Sequence, residues 1–258
     1  MKKEIISEFI EKWRKYFGSA ALPITFFYTD HPLDAVYAGK PTGWNCLIAE
    51  LARVRNGNNI FFDSESITCG GGKRYCGYTD QLRPNFEYFL SYGIPGKMEG
   101  ERYIKTPEMV KEMMKNMVDL PANNKKLVFK RWDKLQESDN PEAVIFLATP
   151  DVLSGLFTLA NFDQPDGLGV FCQFSAGCGS VVKFPLLEAK KENPRAVIGM
   201  FDPSARPCVP AGTLSFAVPF SKFGKMISYM DESFLITETW EKIRKRIEAG
   251  GQKSEELT

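Results

Sequence analysis

The sequence predicts an α+β fold in which helices surround a mixed β-sheet. Short β-rich apolar runs, such as Ala143 to Thr149 and Ala196 to Phe201, have the length and composition of buried strands. Amphipathic segments of unequal length separate these runs. Because strands and helices do not alternate strictly, a mixed sheet is favoured over a doubly wound parallel sheet.

The first part of the chain is predicted to form four regular elements and then a break. Apolar periodicity and β-rich runs place a helix over 3–17, a strand over 24–28, a helix over 46–54 and a strand over 60–62. Three consecutive glycines, Gly70 to Gly72, then predict that residues 66–78 form a loop or turn and not a helix.

The rest of the chain continues the same mixture of elements. Thr106 and Pro107 have the pattern of a capped helix start, and this Met-rich helix is expected to end before Pro121. Further strands are predicted over 126–132, 143–149, 169–174, 196–201 and 213–219, and further helices over 151–160, 180–191, 221–231 and 237–248.

We expect a single domain over residues 1–258, because only one short stretch has the composition of a linker. That stretch, 133–141, is polar, and the alternative it allows is two subdomains over 1–132 and 142–258. Residues 250–258 are polar and are expected to form a mobile tail.

Each half also contains a turn rich in glycine and cysteine. These turns lie at 69–77 and at 177–179, and each is reached from a predicted strand. The similarity suggests a weak internal repeat of the two halves.

Composition excludes several classes of function. The 258 residues include 33 Lys+Arg and 32 Asp+Glu, so a net charge of +1 provides no basic field for nucleic acid. A single histidine excludes His-rich metal sites. The first helix is interrupted by charges and no apolar run is long enough to span a bilayer, so a cytoplasmic protein without membrane contact is expected. Its six cysteines are then expected to be free thiols or metal ligands.

Four of these cysteines occupy positions where backbone amides can stabilise a thiolate. Cys46 and Cys178 lie near predicted helix starts, where the helix dipole is expected to lower the thiol pKa. Cys69 and Cys76 enclose the glycine-rich segment. We therefore predict that these four residues bind an iron–sulfur cluster or another soft metal.

The two remaining cysteines are not part of this prediction. Cys172 alternates with Val170 and Phe174 along a predicted strand and is expected in the core. Cys208 lies between two apolar residues in a proline-rich segment and is assigned no role.

The glycine-rich segment also supports a function without metal. Gly70, Gly71 and Gly72 can direct several amides into one concavity, and Lys73 and Arg74 add positive charge, as a small anionic ligand requires. A thiol-based redox protein with Cys69 or Cys178 as nucleophile is a further alternative. No motif in the sequence names a reaction, so enzymatic activity is left open.

The last amphipathic helices raise the question of self-association. Phe220, Phe223, Ile227 and Met230 give one helix a wide apolar face. This face either packs inside the chain or forms the contact of a homodimer.

One ordered set of residues links this chain to a known family: Trp44, Asn45 and Cys46, then the helix that ends at Gly57, then Cys69 with its glycines. In this order the chain resembles the uncharacterised ArCR family, a domain of unknown function from archaea and bacteria. It implies a single domain and brings no agreed activity. The family pattern has an apolar residue where this chain has Cys76, so a role for Cys76 would be particular to this protein.

Overall fold

A computed structural model describes residues 3–40, 43, 45–121 and 123–255 of the protein. Its centre is one mixed sheet of eight strands. The strands in chain order are β1 (Ile24–Thr29), β2 (Val36–Tyr37), β3 (Ile60–Phe62), β4 (Lys126–Arg131), β5 (Ala143–Ala148), β6 (Val170–Cys172), β7 (Ala196–Gly199) and β8 (Leu214–Pro219).

Helices cover both faces of the sheet, which confirms the predicted α+β class. The α-helices are α1 (Lys3–Phe17), α2 (Leu47–Arg55), α3 (Gly70–Tyr75), α4 (Phe86–Leu90), α5 (Pro107–Lys115), α6 (Pro150–Ala160), α7 (Phe184–Glu188), α8 (Phe220–Tyr229) and α9 (Glu238–Glu255). A π-helix spans Gly179–Lys183, and 3-10 helices span Trp132–Lys134, Arg206–Cys208 and Phe234–Ile236.

The strand order is β2-β3-β4-β1-β5-β8-β7-β6. The two outermost pairs, β2 with β3 and β6 with β7, are parallel, and all other neighbours are antiparallel. At the centre, β1 pairs with β5, and Ile24 lies opposite Ile145. Strands from both sides of the polar stretch 133–141 therefore belong to the same sheet.

One face of the sheet, which we call the aromatic face, is covered by α1, α6, α8 and α9. Trp13 stacks on Phe17 with ring centroids 4.1 Å apart, and Trp240 meets Phe17 edge-on at 5.2 Å. The Trp240 indole donates a hydrogen bond of 2.7 Å to the carbonyl of Tyr16, which ties α9 to α1. The apolar face of α8 is also buried here through Phe223 and its neighbours, so it packs inside the chain.

The opposite face, which we call the thiol face, is covered by α2, α3, the π-helix and α7. Its core combines aliphatic residues of α2 and the π-helix, such as Leu51 and Val181, with Phe62 and Phe129 of the sheet. Cys76 and Cys178 are part of this core.

The prediction of a loop over 66–78 is wrong, because Gly70–Tyr75 form α3. The helix is closed by hydrogen bonds from the Lys73 amide to the Cys69 carbonyl (2.9 Å) and from the Cys76 amide to the Gly72 carbonyl (3.0 Å). Glycine is required at Gly72 because a Cβ there would lie 2.9 Å from Cγ2 of Ile67. Close packing against Ile67 thus offsets the entropic cost of glycines in a helix.

The predicted helix over 180–191 is divided into the π-helix and α7. Pro185 has no N–H to donate to the carbonyl four residues earlier, so regular α-helical bonding is interrupted where the two segments meet. At the C-terminus, α9 continues to Glu255, beyond the predicted end at 248. Residues 256–258 of the predicted mobile tail lie outside the described residues. Within the described chain, no helix is both long and apolar enough to cross a bilayer.

Candidate functional site

Five cysteines gather on the thiol face from four separate segments. Cys46 directly precedes α2, Cys69 and Cys76 flank α3, Cys178 directly precedes the π-helix, and Cys208 ends a 3-10 helix. We refer to these five residues as the thiol group. Four of the five belong to the apolar cluster of this face or pack against it: Cys46, Cys76, Cys178 and Cys208. Cys69 reaches this cluster through Gly72 and Ile67.

Two glycines allow the segments that carry the thiols to approach each other. A Cβ added at Gly72 would lie 3.7 Å from Cβ of Cys69 and 3.9 Å from Sγ of Cys178. A Cβ added at Gly177 would lie 3.1 Å from Ile48 in α2 and 3.0 Å from Ala205, which precedes the 3-10 helix of Cys208. The structure thus brings Cys69 next to Cys178, and the start of α2 next to the loop before Cys178.

Burial is the main influence on the pKa values of Cys46 and Cys178, the two thiols that the sequence places near helix starts. Burial raises the pKa of Cys46 to about 11 against the opposing effect of the amides of Ile48 and Ala49, and Cys208 and Cys69 raise it further. Burial also raises the pKa of Cys178 well above its usual value, with additional contributions from Cys76, Cys46 and Cys69. The prediction of lowered pKa values at these two positions is therefore wrong, because the desolvation cost exceeds the stabilisation from the helix start.

Cys76 is the most deeply placed member of the thiol group. It has no solvent exposure, and burial raises the pKa of its thiol, with a smaller contribution from Cys69. Its carbonyl accepts a hydrogen bond of 3.0 Å from the Tyr28 hydroxyl. Cys172, by contrast, is exposed, so its predicted core position is wrong. Its strand β6 is a short strand at the edge of the sheet, where residues are not covered on both faces.

Two buried cations lie beside the thiol group and share one carboxylate. Arg74 in α3 donates from Nε and Nη2 to Asp119, at 2.8 and 2.6 Å. Lys183 at the end of the π-helix lies 3.7 Å from the same carboxylate, and its ammonium is 5.3 Å from the ring centroid of Tyr75. Burial lowers the pKa of Lys183, and the charge of Arg74 contributes in the same direction. Arg74, Lys183 and Asp119 together therefore carry one net positive charge.

Tyr75 connects these cations to the thiols. Positions for an added Cβ at Gly71 and at Gly179 lie 3.9 and 3.5 Å from its ring, and the Gly71 position lies 3.8 Å from Sγ of Cys69. Burial raises the pKa of Tyr75 to about 12, and Cys178 is the next contributor. The phenol ring therefore lies between the cations and the thiols.

A buried carboxylate fixes the loop that leads to Cys178. Asp202 accepts hydrogen bonds from the amide of Gly177 (3.2 Å) and from the amide and hydroxyl of Ser204 (3.0 and 2.8 Å). It is 5% exposed, so these bonds replace its contacts with water. The position of the Cys178 loop is thus defined by the segment that follows β7.

The glycine-rich segment differs from the open anion cradle predicted from the sequence. Gly70 to Gly72 form the first turn of α3, and Arg74 is engaged by Asp119. Lys73 is half-buried. Anion binding by these five residues stays a prediction, but Arg74 would have to exchange Asp119 for the ligand.

Sequence reasoning missed three residues of this region: Asp119, Lys183 and Cys208. Lys183 could have been noticed as the one charge within the apolar run 181–187 that follows Cys178. Asp119 lies 45 residues after its partner Arg74, and no local pattern indicates their contact. The position of Cys208 depends on the packing of α2 against the 3-10 helix, which the sequence does not specify.

The predicted ligands Cys46, Cys69, Cys76 and Cys178 all belong to the thiol group. Over the residues that the structure describes, no group of three or more His, Cys, Asp or Glu side chains has an arrangement that could hold a metal ion. As described, the thiol group is therefore not arranged around a metal ion.

Fold and site together define an α+β protein with a thiol group on one face of a single mixed sheet. The chain belongs to the DUF169 family, described as uncharacterised ArCR, whose family model matches residues 19–229. The resemblance derived from Cys46, Gly57 and Cys69 is thereby confirmed, although Trp44 lies outside the described residues. No curated protein and no solved structure matches this chain.

Proposed function

We propose that the thiol group binds a soft, thiophilic metal centre, either a single metal ion or an iron–sulfur cluster. The observation that carries this proposal is the convergence of Cys46, Cys69 and Cys178 from three distant segments onto one face of the sheet. Thiolates select soft metals such as zinc, copper(I) and iron in clusters. The fourth ligand in the set predicted from the sequence is Cys76.

The raised pKa values of Cys46 and Cys178 have a direct meaning for this function. A buried thiol with a raised pKa is protonated near neutral pH, so it is a poor nucleophile. A metal ion changes this balance because it replaces the proton and neutralises the thiolate. These two thiols therefore fit ligands better than the activated nucleophile of a redox protein.

The neighbouring charges favour an anionic centre. A metal with several thiolate ligands carries net negative charge, and Lys183 with Arg74 and Asp119 provides a net positive charge nearby. Lys183 thus has the role that the sequence assigned to Lys73 or Arg74. Apolar packing around Cys178 excludes water and strengthens these interactions.

The free state of the cysteines agrees with a reducing compartment. All six cysteines are free thiols in the structure. We propose that the protein acts in the cytoplasm, where thiols persist and metal ligation by cysteine is common.

Anaerobic purification with metal analysis and visible absorption tests the proposal. Wild-type protein is expected to carry a thiophilic metal, or to acquire one on incubation with Co²⁺, Zn²⁺, or Fe²⁺ with sulfide. The double variant Cys69→Ala/Cys178→Ala is expected to lose this metal, and Cys172→Ala, which changes an exposed thiol outside the group, is expected to retain it.

Two spectroscopic outcomes identify the centre. Broad visible absorption with acid-labile sulfide indicates an iron–sulfur cluster, and cobalt absorption without sulfide indicates a single-ion site. Colourless, metal-free wild-type protein with all six thiols open to titration after these incubations contradicts the proposal.

A further inference from the structure

The two halves of the sheet have the same strand arrangement. From one edge inward the order is β2-β3-β4-β1, and from the other edge inward it is β6-β7-β8-β5. In each half the outer pair is parallel and the next two pairs are antiparallel. The halves meet at the antiparallel pair of β1 with β5, as a two-fold axis between these strands requires.

Strand register supports the same correspondence. Ile24 lies opposite Arg131 in the first half and Ala143 lies opposite Pro219 in the second, so each inner strand begins where its neighbour ends. The edge pairs agree as well. In each half, the second strand from the edge, β3 or β7, is parallel to the edge strand and antiparallel to its other neighbour. This correspondence differs from the repeat predicted between 69–77 and 177–179.

Four cysteines occupy equivalent places under this correspondence. Cys46 directly precedes the helix between β2 and β3, and Cys178 directly precedes the helical segment between β6 and β7. Cys69 lies in the connection from β3 to β4, and Cys208 lies in the connection from β7 to β8. Each half therefore contributes one thiol before the helix that connects its two parallel strands, and one thiol after the second of these strands.

The packing of helices joins these thiols across the halves. α3 packs against the π-helix, which brings Cys69 towards Cys178. α2 packs against the 3-10 helix Arg206–Cys208, which brings Cys208 towards Cys46. The two contacts are equivalent, because each joins a thiol before a crossover helix with a thiol from the other half.

We propose that Cys208 is the fourth ligand of the metal centre, with Cys46, Cys69 and Cys178, and that Cys76 is a packing residue. The inference rests on the proposed function. Two equivalent pairs of thiols around a two-fold axis match a tetrahedral set of four sulfur ligands, since a tetrahedron contains two-fold axes of this kind.

The location of Cys76 supports its exclusion. Cys69 and Cys76 flank the same helix, and the six residues Gly70–Tyr75 between them separate their backbones by about 10 Å. Two sulfurs on one zinc ion, each at a Zn–S distance of about 2.3 Å, lie about 4 Å apart, so this backbone separation disfavours both thiols as ligands of one ion. Cys76 also has no solvent exposure, whereas Cys208 is half-buried.

Cobalt titration under anaerobic conditions tests the inference with three alanine variants. The sulfur-to-cobalt charge-transfer intensity per bound ion reports the number of thiolate ligands. Cys208→Ala is expected to lose about a quarter of this intensity, one bond of four, and to bind Co²⁺ about 100-fold more weakly. Cys76→Ala is expected to match wild type, as is Cys172→Ala, the exposed control.

The outcomes separate this inference from the function on which it rests. If wild type binds no Co²⁺ and no cluster, the proposed function fails. If wild type binds and Cys208→Ala is unchanged while Cys76→Ala loses intensity, only the assignment of the fourth ligand is overturned. Near-ultraviolet circular dichroism and thermal unfolding of each metal-free variant show whether Cys76→Ala retains the native packing that the comparison needs.

Discussion

The aromatic face and the thiol face of the sheet are built from different kinds of interaction. On the aromatic face, Trp13, Phe17 and Trp240 interlock in a continuous apolar core. On the thiol face, apolar packing includes protonated thiols, and two buried cations lie beside it. One face thus holds the fold together, and the other retains buried polar groups whose desolvation cost a core built only for stability would avoid.

Truncating the aromatic face is expected to have the largest effect on stability. Trp13 is 2% exposed, so Trp13→Ala should lower the free energy of unfolding by about 3–5 kcal/mol through lost burial and a cavity. Urea denaturation, followed by far-ultraviolet circular dichroism so that the signal does not depend on the removed tryptophan, measures this change. Phe157→Ala, at an exposed aromatic residue of α6, is the control and should stay within about 0.5 kcal/mol. Equal effects of the two variants would contradict the assignment of this face as the main core.

Removing the shared carboxylate should destabilise the thiol face by a smaller amount. Asp119→Asn leaves Arg74 and Lys183 without their counter-charge, and because Asp119 is one-third exposed we expect a loss of about 1–3 kcal/mol. The additional positive charge should also favour thiolates and increase the alkylation rate of the thiol group. Glu65→Gln, at the exposed pair with Lys40, is the matched control for loss of a carboxylate. Slower alkylation in Asp119→Asn would argue against electrostatic coupling between the cations and the thiols.

Two glycines of α3 allow close packing to be separated from helix propensity. Gly72→Ala introduces a Cβ 2.9 Å from Cγ2 of Ile67 and should cost about 1–2 kcal/mol. Gly70→Ala meets no atom within 4 Å and should stabilise the protein by about 0.5–1 kcal/mol, since alanine favours the helix. Thermal or urea unfolding of both variants measures the difference. If both substitutions stabilise, the close contact between α3 and Ile67 is not a constraint.

Alkaline pH should weaken the metal-free protein through its buried thiols. The unfolded chain releases the Cys46 proton near pH 8.5, whereas the folded protein retains it up to a pKa of about 11. Between these values the folded state binds more protons, so stability falls as pH rises, by about 1.4 kcal/mol per pH unit for one thiol. The slope is measured from urea midpoints between pH 7 and 11. Lys183, with a lowered pKa, acts in the opposite direction, so the difference between wild type and Cys46→Ala isolates the thiol.

Bound metal should reverse this pH dependence. Ligation requires thiolates, so metal binding releases protons and becomes tighter as pH rises. Cobalt affinity measured over the same pH range is expected to increase while the stability of the metal-free protein decreases. An affinity that is independent of pH would show that the ligands of the bound metal are not protonated thiols.

Local patterns in the sequence were sufficient for most of the fold. The helical periodicity before Gly18 and the β-rich runs at 143–149 and 213–219 correspond to α1, β5 and β8. The glycine triplet is an exception: local propensity disfavours a helix there, whereas packing of Gly72 on Ile67 allows one.

The site was predictable only in part, for electrostatic and topological reasons. Helix-start positions of Cys46 and Cys178 were visible in the sequence, but their burial, which raises both pKa values, depends on tertiary packing. The contact of Arg74 with Asp119 and the place of Cys208 depend on segments that are distant in sequence. Residue type and charge thus identify candidate site residues, and the topology of the fold decides which of them are in contact.

The link between α1 and α9 has a consequence for the order of folding during synthesis. Trp240 rests on Gly155 and Phe17, and a Cβ at Gly155 would lie 2.2 Å from its ring. While α9 is still inside the ribosome, Phe17 and Gly155 of α6 are therefore not covered by Trp240. We expect the aromatic face to be completed only after α9 has emerged, and therefore later than the thiol face, whose segments all precede α9 in the chain.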